Sequence, residues 1–151
     1  MIEDRTRPRN GISRLRIRIG LLATFFGLII YLFGAAPELF GANRSPVTGF
    51  LQIAVFLVGL AFMCIGGFIS LNALWNGHEK SIAADIGLRL VATGYVIAVA
   101  SGMADVFGIG NHPFPRIPYF GAWQALGVLV GEAVIGIGFL MMIPYTVKAF
   151  K

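Results

Sequence analysis

The sequence predicts an all-α integral membrane protein whose four transmembrane helices form a compact bundle of two hairpins. Three observations predict this fold. Of the 151 residues, 57% are hydrophobic and only 13% are charged, whereas soluble domains carry about 25% charged residues. Four apolar stretches are long enough to cross the ~30 Å hydrocarbon layer of a bilayer. The second half of the chain also repeats the first half.

The repeat is clearest between segments 44–66 and 116–138. At a constant offset of 72 residues, ten of the 23 aligned positions are identical. In the first copy these are Arg44, Pro46, Gly49, Gln52, Leu57, Val58, Gly59, Ala61, Ile65 and Gly66. Upstream, ELFG at 38–41 matches DVFG at 105–108 at an offset of 67. We interpret the chain as two tandem copies of one helical hairpin.

The chain begins with a basic tail and a first apolar span. Residues 1–16 are polar and contain Pro8 and Gly11, which predicts a cytoplasmic tail that is flexible or lies along the lipid headgroups. The residues from Ile19 to Pro37 carry no charge and predict a first span at about 18–38. The arginines before it are Arg5, Arg7, Arg9, Arg14, Arg16 and Arg18. Such clustering is typical of the cytoplasmic end of a membrane helix.

The remaining spans complete the two hairpins. Hairpin 17–81 gains a second span at about 49–75, and hairpin 82–151 has spans at about 82–107 and 119–145. With the N-terminus inside, nine Lys and Arg lie on the cytoplasmic side and two lie outside, with Arg89 set aside as part of a span. The positive-inside rule therefore predicts cytoplasmic N- and C-termini in a bacterial-type plasma membrane, the inner membrane of the cell. Both hairpins then cross in the same sense, as parallel repeats related by a pseudo-twofold axis along the membrane normal.

Rows of small residues on the third and fourth spans predict close helix packing. Gly94, Ala98 and Gly102 recur every fourth residue, and Gly127 and Gly131 form a second row. Small residues let helix backbones approach each other, which matters where lipid gives apolar surfaces little reason to associate. We expect these rows to pack within the chain; docking of another subunit is the alternative.

Glu132 is the most unusual residue of the fourth span. Fifteen uncharged residues separate it from Arg116 on one side and fifteen from Lys148 on the other. An ionised carboxylate at that depth costs several kcal/mol, so Glu132 should be protonated, paired or beside a wet cavity. Counting from the span centres places Tyr95 at the same depth. We expect either a neutral Glu132 hydrogen-bonded to Tyr95 or a site for protons or cations.

Four further pairs of polar residues are candidates for specific contacts. Glu38 with Arg44, and Asp105 with Arg116, are expected to close the outer loops as ion pairs or to line the mouth of a solute site. Asp85 and Arg89 share a helix face near the inner boundary and can pair there. The repeated amides Gln52 and Gln124 are expected to bond across the pseudo-twofold axis.

The sequence excludes several classes of function. The single Cys64 rules out an internal disulfide, and His78 and His112 fall on opposite sides of the bilayer, so no metal site is expected. No phosphate loop, nucleophile elbow or dinucleotide fingerprint occurs, so no cofactor is expected. The basic residues crowd before the first span instead of forming a face for nucleic acid.

Three functions remain open. The first is a non-enzymatic accessory or scaffold subunit, in contact with the lipid bilayer and with other membrane subunits or with itself. The second is a small transporter or channel, as a single chain or a homo-oligomer, in which Glu132 is the protonatable site. The third is a membrane enzyme acting on lipid or quinone near His112, Arg116 and Asp105.

Overall fold

The computed structural model describes residues 10–41, 49–109 and 120–145, with side chains from residue 13 onward. In these residues it is all-α. The helices are α1 (Asn10–Ala35), α2 (Phe50–Leu74), α3 (Ile82–Gly102) and α4 (Ala122–Met142), and a short 3-10 helix, Pro37–Phe40, follows α1. All four α-helices are long and apolar enough to cross a membrane. They pack as two hairpins, α1 with α2 and α3 with α4.

The ends of two helices differ from the sequence prediction. α1 begins at Asn10, whereas the sequence predicts a tail up to residue 16. Its early start is held by Ser13, whose hydroxyl donates to the Ala73 carbonyl at the end of α2 over 2.7 Å. α3 ends at Gly102 instead of near residue 107. The chain turns there, and Gly108 has a positive φ of 75°, which favours glycine.

Each hairpin is held by glycines that bring its two backbones into contact. A methyl group on Gly27 of α1 would lie 2.8 Å from the Gly59 carbonyl oxygen of α2. A methyl group on Gly131 of α4 would lie 2.6 Å from the Gly94 carbonyl oxygen of α3. The same arrangement recurs nearer the N-terminal ends of α1 and α3, where Gly20 contacts Gly66 and Gly87 contacts Gly138. The expectation that the small rows of α3 and α4 pack within the chain is confirmed.

The backbone after α1 and after α3 turns in the same way. The Ala36 amide donates to the Leu32 carbonyl, and 67 residues later the Met103 amide donates to Val99, both over 2.9 Å. Gly41, which ends the first turn, has a positive φ like that of Gly108. The equivalence at an offset of 67 residues therefore extends from the sequence to the hydrogen bonds.

Helix α2 is the centre of the molecule. It approaches both α3 and α4, whereas no Cα of α1 lies within 8 Å of a Cα of α3 or α4 in the described residues. The buried core is drawn from α2, α3 and α4: Ile53, Phe56, Leu57, Leu60, Cys64, Val91, Ala98, Val128, Ile135 and Met142. α1 therefore flanks the bundle and leaves most of its surface exposed.

Contacts between the hairpins lie at both ends of α2. The indole N–H of Trp75, just after α2, donates to the Met142 carbonyl at the end of α4 over 3.0 Å. At the other end, Gly102 of α3 faces Ile53 of α2 and Val128 of α4. The C-terminal end of α3 therefore lies beside the first turns of α2 and α4.

Candidate functional site

Polar side chains connect the two hairpins along their boundary. The Tyr31 hydroxyl of α1 donates to Glu132 Oε1 of α4 over 2.6 Å. The Tyr95 hydroxyl of α3 donates to the Leu57 carbonyl of α2 over 3.4 Å. With the bond from Trp75 to Met142, these contacts join each helix of one hairpin to a helix of the other.

Glu132 is the middle residue of α4, and its hydrogen-bond donor is Tyr31 instead of Tyr95. The reason is the position of α1. Tyr31 lies against Gly59 of α2, and the residue equivalent to Gly59 in the second hairpin is Gly131, the neighbour of Glu132. Tyr31 is therefore at the depth of Glu132. The Tyr31 ring also meets Phe56 edge to face, with 6.0 Å between ring centroids.

The repeat contains a signal that identifies this pair. At an offset of 67, Tyr31 is equivalent to Ala98, and at an offset of 72, Glu132 is equivalent to Leu60. Ala98 is 0% and Leu60 is 5% exposed, and both belong to the apolar core. Two polar residues therefore occupy the places of two core residues. Because a lone polar group is costly in an apolar setting, the replacements are expected to pair with each other.

The boundary between α1 and α4 is wider than the boundary between α2 and α3. Cα atoms of α2 and α3 approach within 8 Å, whereas those of α1 and α4 do not. The long side chains of Tyr31 and Glu132 span this wider gap, and both are partly buried. Every buried side-chain nitrogen or oxygen in the described part of the chain has a hydrogen-bond partner.

The repeated amides cap their own helices. The side-chain oxygen of Gln52 accepts from the Gly49 amide over 2.9 Å, and that of Gln124 accepts from the Gly121 amide over 2.9 Å. A bond between the two glutamines across the pseudo-twofold axis stays a prediction. Both stand at the third helical position, from which a glutamine reaches back to the N-cap amide within one turn.

The loop candidates are only partly described. Glu38 is exposed whereas Asp105 is 3% exposed, so these equivalent acids have different surroundings. Arg44, Arg116 and His112 lie outside the described residues, so the proposed outer ion pairs stay predictions. His78 is exposed in the turn after α2. Within the described ranges, no group of three His, Cys, Asp or Glu side chains could hold a metal ion.

The outward surfaces of α1 and α3 differ at equivalent positions. We call the exposed row Arg18, Leu22, Phe25, Phe26, Ile29 and Phe33 the outer stripe of α1. Adding 67 to each number gives the exposed row Asp85, Arg89, Ala92, Thr93, Val96 and Ala100, the outer stripe of α3. Leu22 and Phe25 are 68% and 63% exposed. The α1 stripe is thus mainly large and apolar, whereas the α3 stripe is mainly small or charged.

The fold and the contacts between the two hairpins together define a small membrane protein with four candidate spans in two hairpins. Comparisons with protein-family models, with curated proteins and with solved structures found no match.

Proposed function

We propose that this chain is a non-enzymatic accessory or scaffold subunit that binds into a larger membrane assembly through the outer stripe of α3. The contrast between the two outer stripes carries the proposal. Large apolar side chains such as Leu22 and Phe25 suit contact with lipid tails, whereas small and polar residues are enriched where membrane helices meet. Of these two stripes, the α3 stripe is therefore the one better suited to contact with protein.

Arg89 strengthens this choice of surface. It lies seven residues inside α3, about 10 Å from the start of the helix, and its side chain is exposed. Charged residues in membrane spans almost always pair or face the interior of a bundle. The equivalent residue on α1 is Leu22, which needs no partner. The inner rows of small residues do not compete for this role, since they are occupied by contacts between α3 and α4.

The Tyr31–Glu132 hydrogen bond supports a structural role for Glu132. It gives the carboxyl group a partner and joins the two hairpins. A transporter or channel that uses Glu132 as a proton site is the competing function. If Glu132→Gln and Glu132→Leu both keep full flux or a wild-type growth phenotype, the proton-site function is lost.

Tandem duplication of one hairpin is part of the proposal, with both termini in the cytoplasm of a bacterial-type plasma membrane. The shared glycine contacts support duplication, and the exposed Arg14, Arg16 and Arg18 support the orientation. Single-cysteine variants in a Cys64→Ala background test orientation with a membrane-impermeant maleimide. We expect the maleimide to label Leu39→Cys in intact cells and to label Ser81→Cys only after the membrane is opened. The reverse pattern would overturn the proposed orientation.

The docking surface is tested by making the α3 stripe resemble the α1 stripe. We expect Ala92→Phe with Ala100→Phe to release the chain from its assembly, because large rings hold the partner backbone away. The measurement is the mass of the particle extracted in native lipid, compared with the 16.3 kDa of one chain. Circular dichroism verifies that the variant keeps its helices.

The matched control changes the same two positions of α1. Phe25→Ala with Phe33→Ala should leave the particle mass unchanged. A wild-type particle with the mass of one chain, or equal effects of the two double variants, would contradict the proposed docking surface.

A further inference from the structure

We infer that the α3 stripe binds a second copy of this chain, so that two molecules pair through the same face. This inference rests on the proposed function and names the partner. The stripe is continuous, because each member lies three or four residues from another member and such residues lie on one side of a helix. Its buried counterpart, which includes Ala84, Val91 and Ala98, faces the opposite way, toward α4 and the core.

The charges of the stripe complement each other. Asp85 and Arg89 are one helical turn apart, and both are exposed on α3. In a dimer with a twofold axis along the membrane normal, the two α3 helices run parallel. Asp85 of each molecule can then pair with Arg89 of the other molecule, which lies about 6 Å further along its helix. Such an interface is isologous, with the same patch on both subunits.

A second copy of this chain is the partner that neutralises the charges of the α3 stripe with the fewest further requirements. The two charges sum to zero within one stripe, so two identical stripes neutralise each other. A different protein would have to supply an acid and a base at matching depths. Beyond the charged turn, Ala92, Thr93 and Ala100 are small enough for two backbones to approach. The lipid-facing alternative leaves Asp85 and Arg89 together at a surface of hydrocarbon and headgroups, which is costly for the deeper Arg89.

The test reverses one charge at a time. D85R gives the stripe two positive charges, and R89D gives it two negative charges. Like charges that face each other across an interface repel, so we expect each purified variant to dimerise at least about tenfold more weakly than the wild type in lipid nanodiscs or liposomes. A mixture of differently tagged D85R and R89D chains should regain association, because the stripes are then opposite in sign.

Cysteine cross-linking locates the contact. Cys64 is the chain's single cysteine and is buried, so Cys64→Ala gives a clean background. We expect Ala92→Cys to form a disulfide between two copies on mild oxidation. The matched control is Phe25→Cys, the equivalent position on α1, which should form little. Equal cross-linking at both positions would indicate random collision in the membrane and overturn the inference.

The outcomes separate this inference from the proposed function. If the purified chain is a monomer while native particles contain a different protein that Ala92→Phe with Ala100→Phe removes, the second copy is wrong and the subunit role stands. If both single reversals dimerise like the wild type, or if their mixture fails to associate, the charge pairing is wrong. If native particles contain one chain only, both proposals fail.

Discussion

In the first hairpin Gly27 of α1 lies against Gly59 of α2, and in the second hairpin Gly94 of α3 lies against Gly131 of α4. The turns that follow α1 and α3 use equivalent hydrogen bonds. Away from these inner contacts the hairpins diverge. One outer stripe is mainly aromatic and aliphatic, while the other is mainly small and charged. The comparison teaches that backbone contact between paired helices tolerates little change, whereas surfaces that face lipid or another protein are free to differ.

The largest effect is expected where two backbones touch. Gly131→Ala should lower the free energy of unfolding by about 1–3 kcal/mol, since the added methyl group meets the Gly94 carbonyl oxygen at 2.6 Å. Gly59→Ala should cost a similar amount if the hairpins are equivalent. Unfolding in mixed micelles titrated with sodium dodecyl sulfate, followed by circular dichroism, measures both.

The control for these variants lies on the same helix. A methyl group on Gly136 meets nothing within 4 Å, so Gly136→Ala should be neutral or stabilising by up to about 1 kcal/mol through helix propensity. Should Gly131→Ala and Gly136→Ala change stability alike, the close approach of α3 and α4 is refuted.

A smaller effect is expected at the boundary between the hairpins. Glu132→Leu leaves the Tyr31 hydroxyl without its acceptor and should cost about 1 kcal/mol. Glu132→Gln retains an acceptor oxygen and should stay within about 0.5 kcal/mol of the wild type. The same micelle titration compares them. Tyr31→Phe should add little to Glu132→Leu, since the bond is already lost; fully additive costs would show that the two residues act separately.

The capping glutamines should have matched effects in the two hairpins. Gln52→Ala and Gln124→Ala each remove the acceptor for an N-cap amide, at a cost of about 0.5–1 kcal/mol. Replacement by glutamate keeps an acceptor at the same position and should restore stability. The unfolding midpoints of all four variants decide whether the two caps are equivalent; a loss at one site only would indicate that the hairpins begin their second helices differently.

The smallest effect is expected on the α1 stripe. Phe25 is 63% exposed, so Phe25→Ala exchanges one lipid-facing surface for another. The free energy of unfolding should change by less than about 0.5 kcal/mol. A decrease in the free energy of unfolding above about 1 kcal/mol would indicate that the α1 stripe also contacts protein. The contrast between the two stripes would then no longer support the proposed docking surface.

Much of the fold is predictable because the bilayer imposes simple requirements. Length and hydropathy identify the four spans, and rows such as Gly94 with Ala98 identify a packing face. The Gln52 and Gln124 caps were not predicted, because the sequence does not show whether a glutamine side chain bonds to its own helix or to a distant partner. Tyr31 was missed because depth counted from span centres favours Tyr95 and does not show that the Tyr95 hydroxyl bonds to Leu57 of α2 instead of Glu132.

By itself the sequence determined that this chain crosses a membrane four times, since each apolar stretch must satisfy its own backbone hydrogen bonds within the hydrocarbon. It also determined that the two halves share a pattern, since identical residues recur at constant offsets. Only the tertiary structure decided that α2 is central, that α1 packs closely on α2 but not on α3 or α4 in the described residues, and that Tyr31 bonds to Glu132. Those outcomes depend on how close two backbones come in space, and spacing along a chain does not encode that distance.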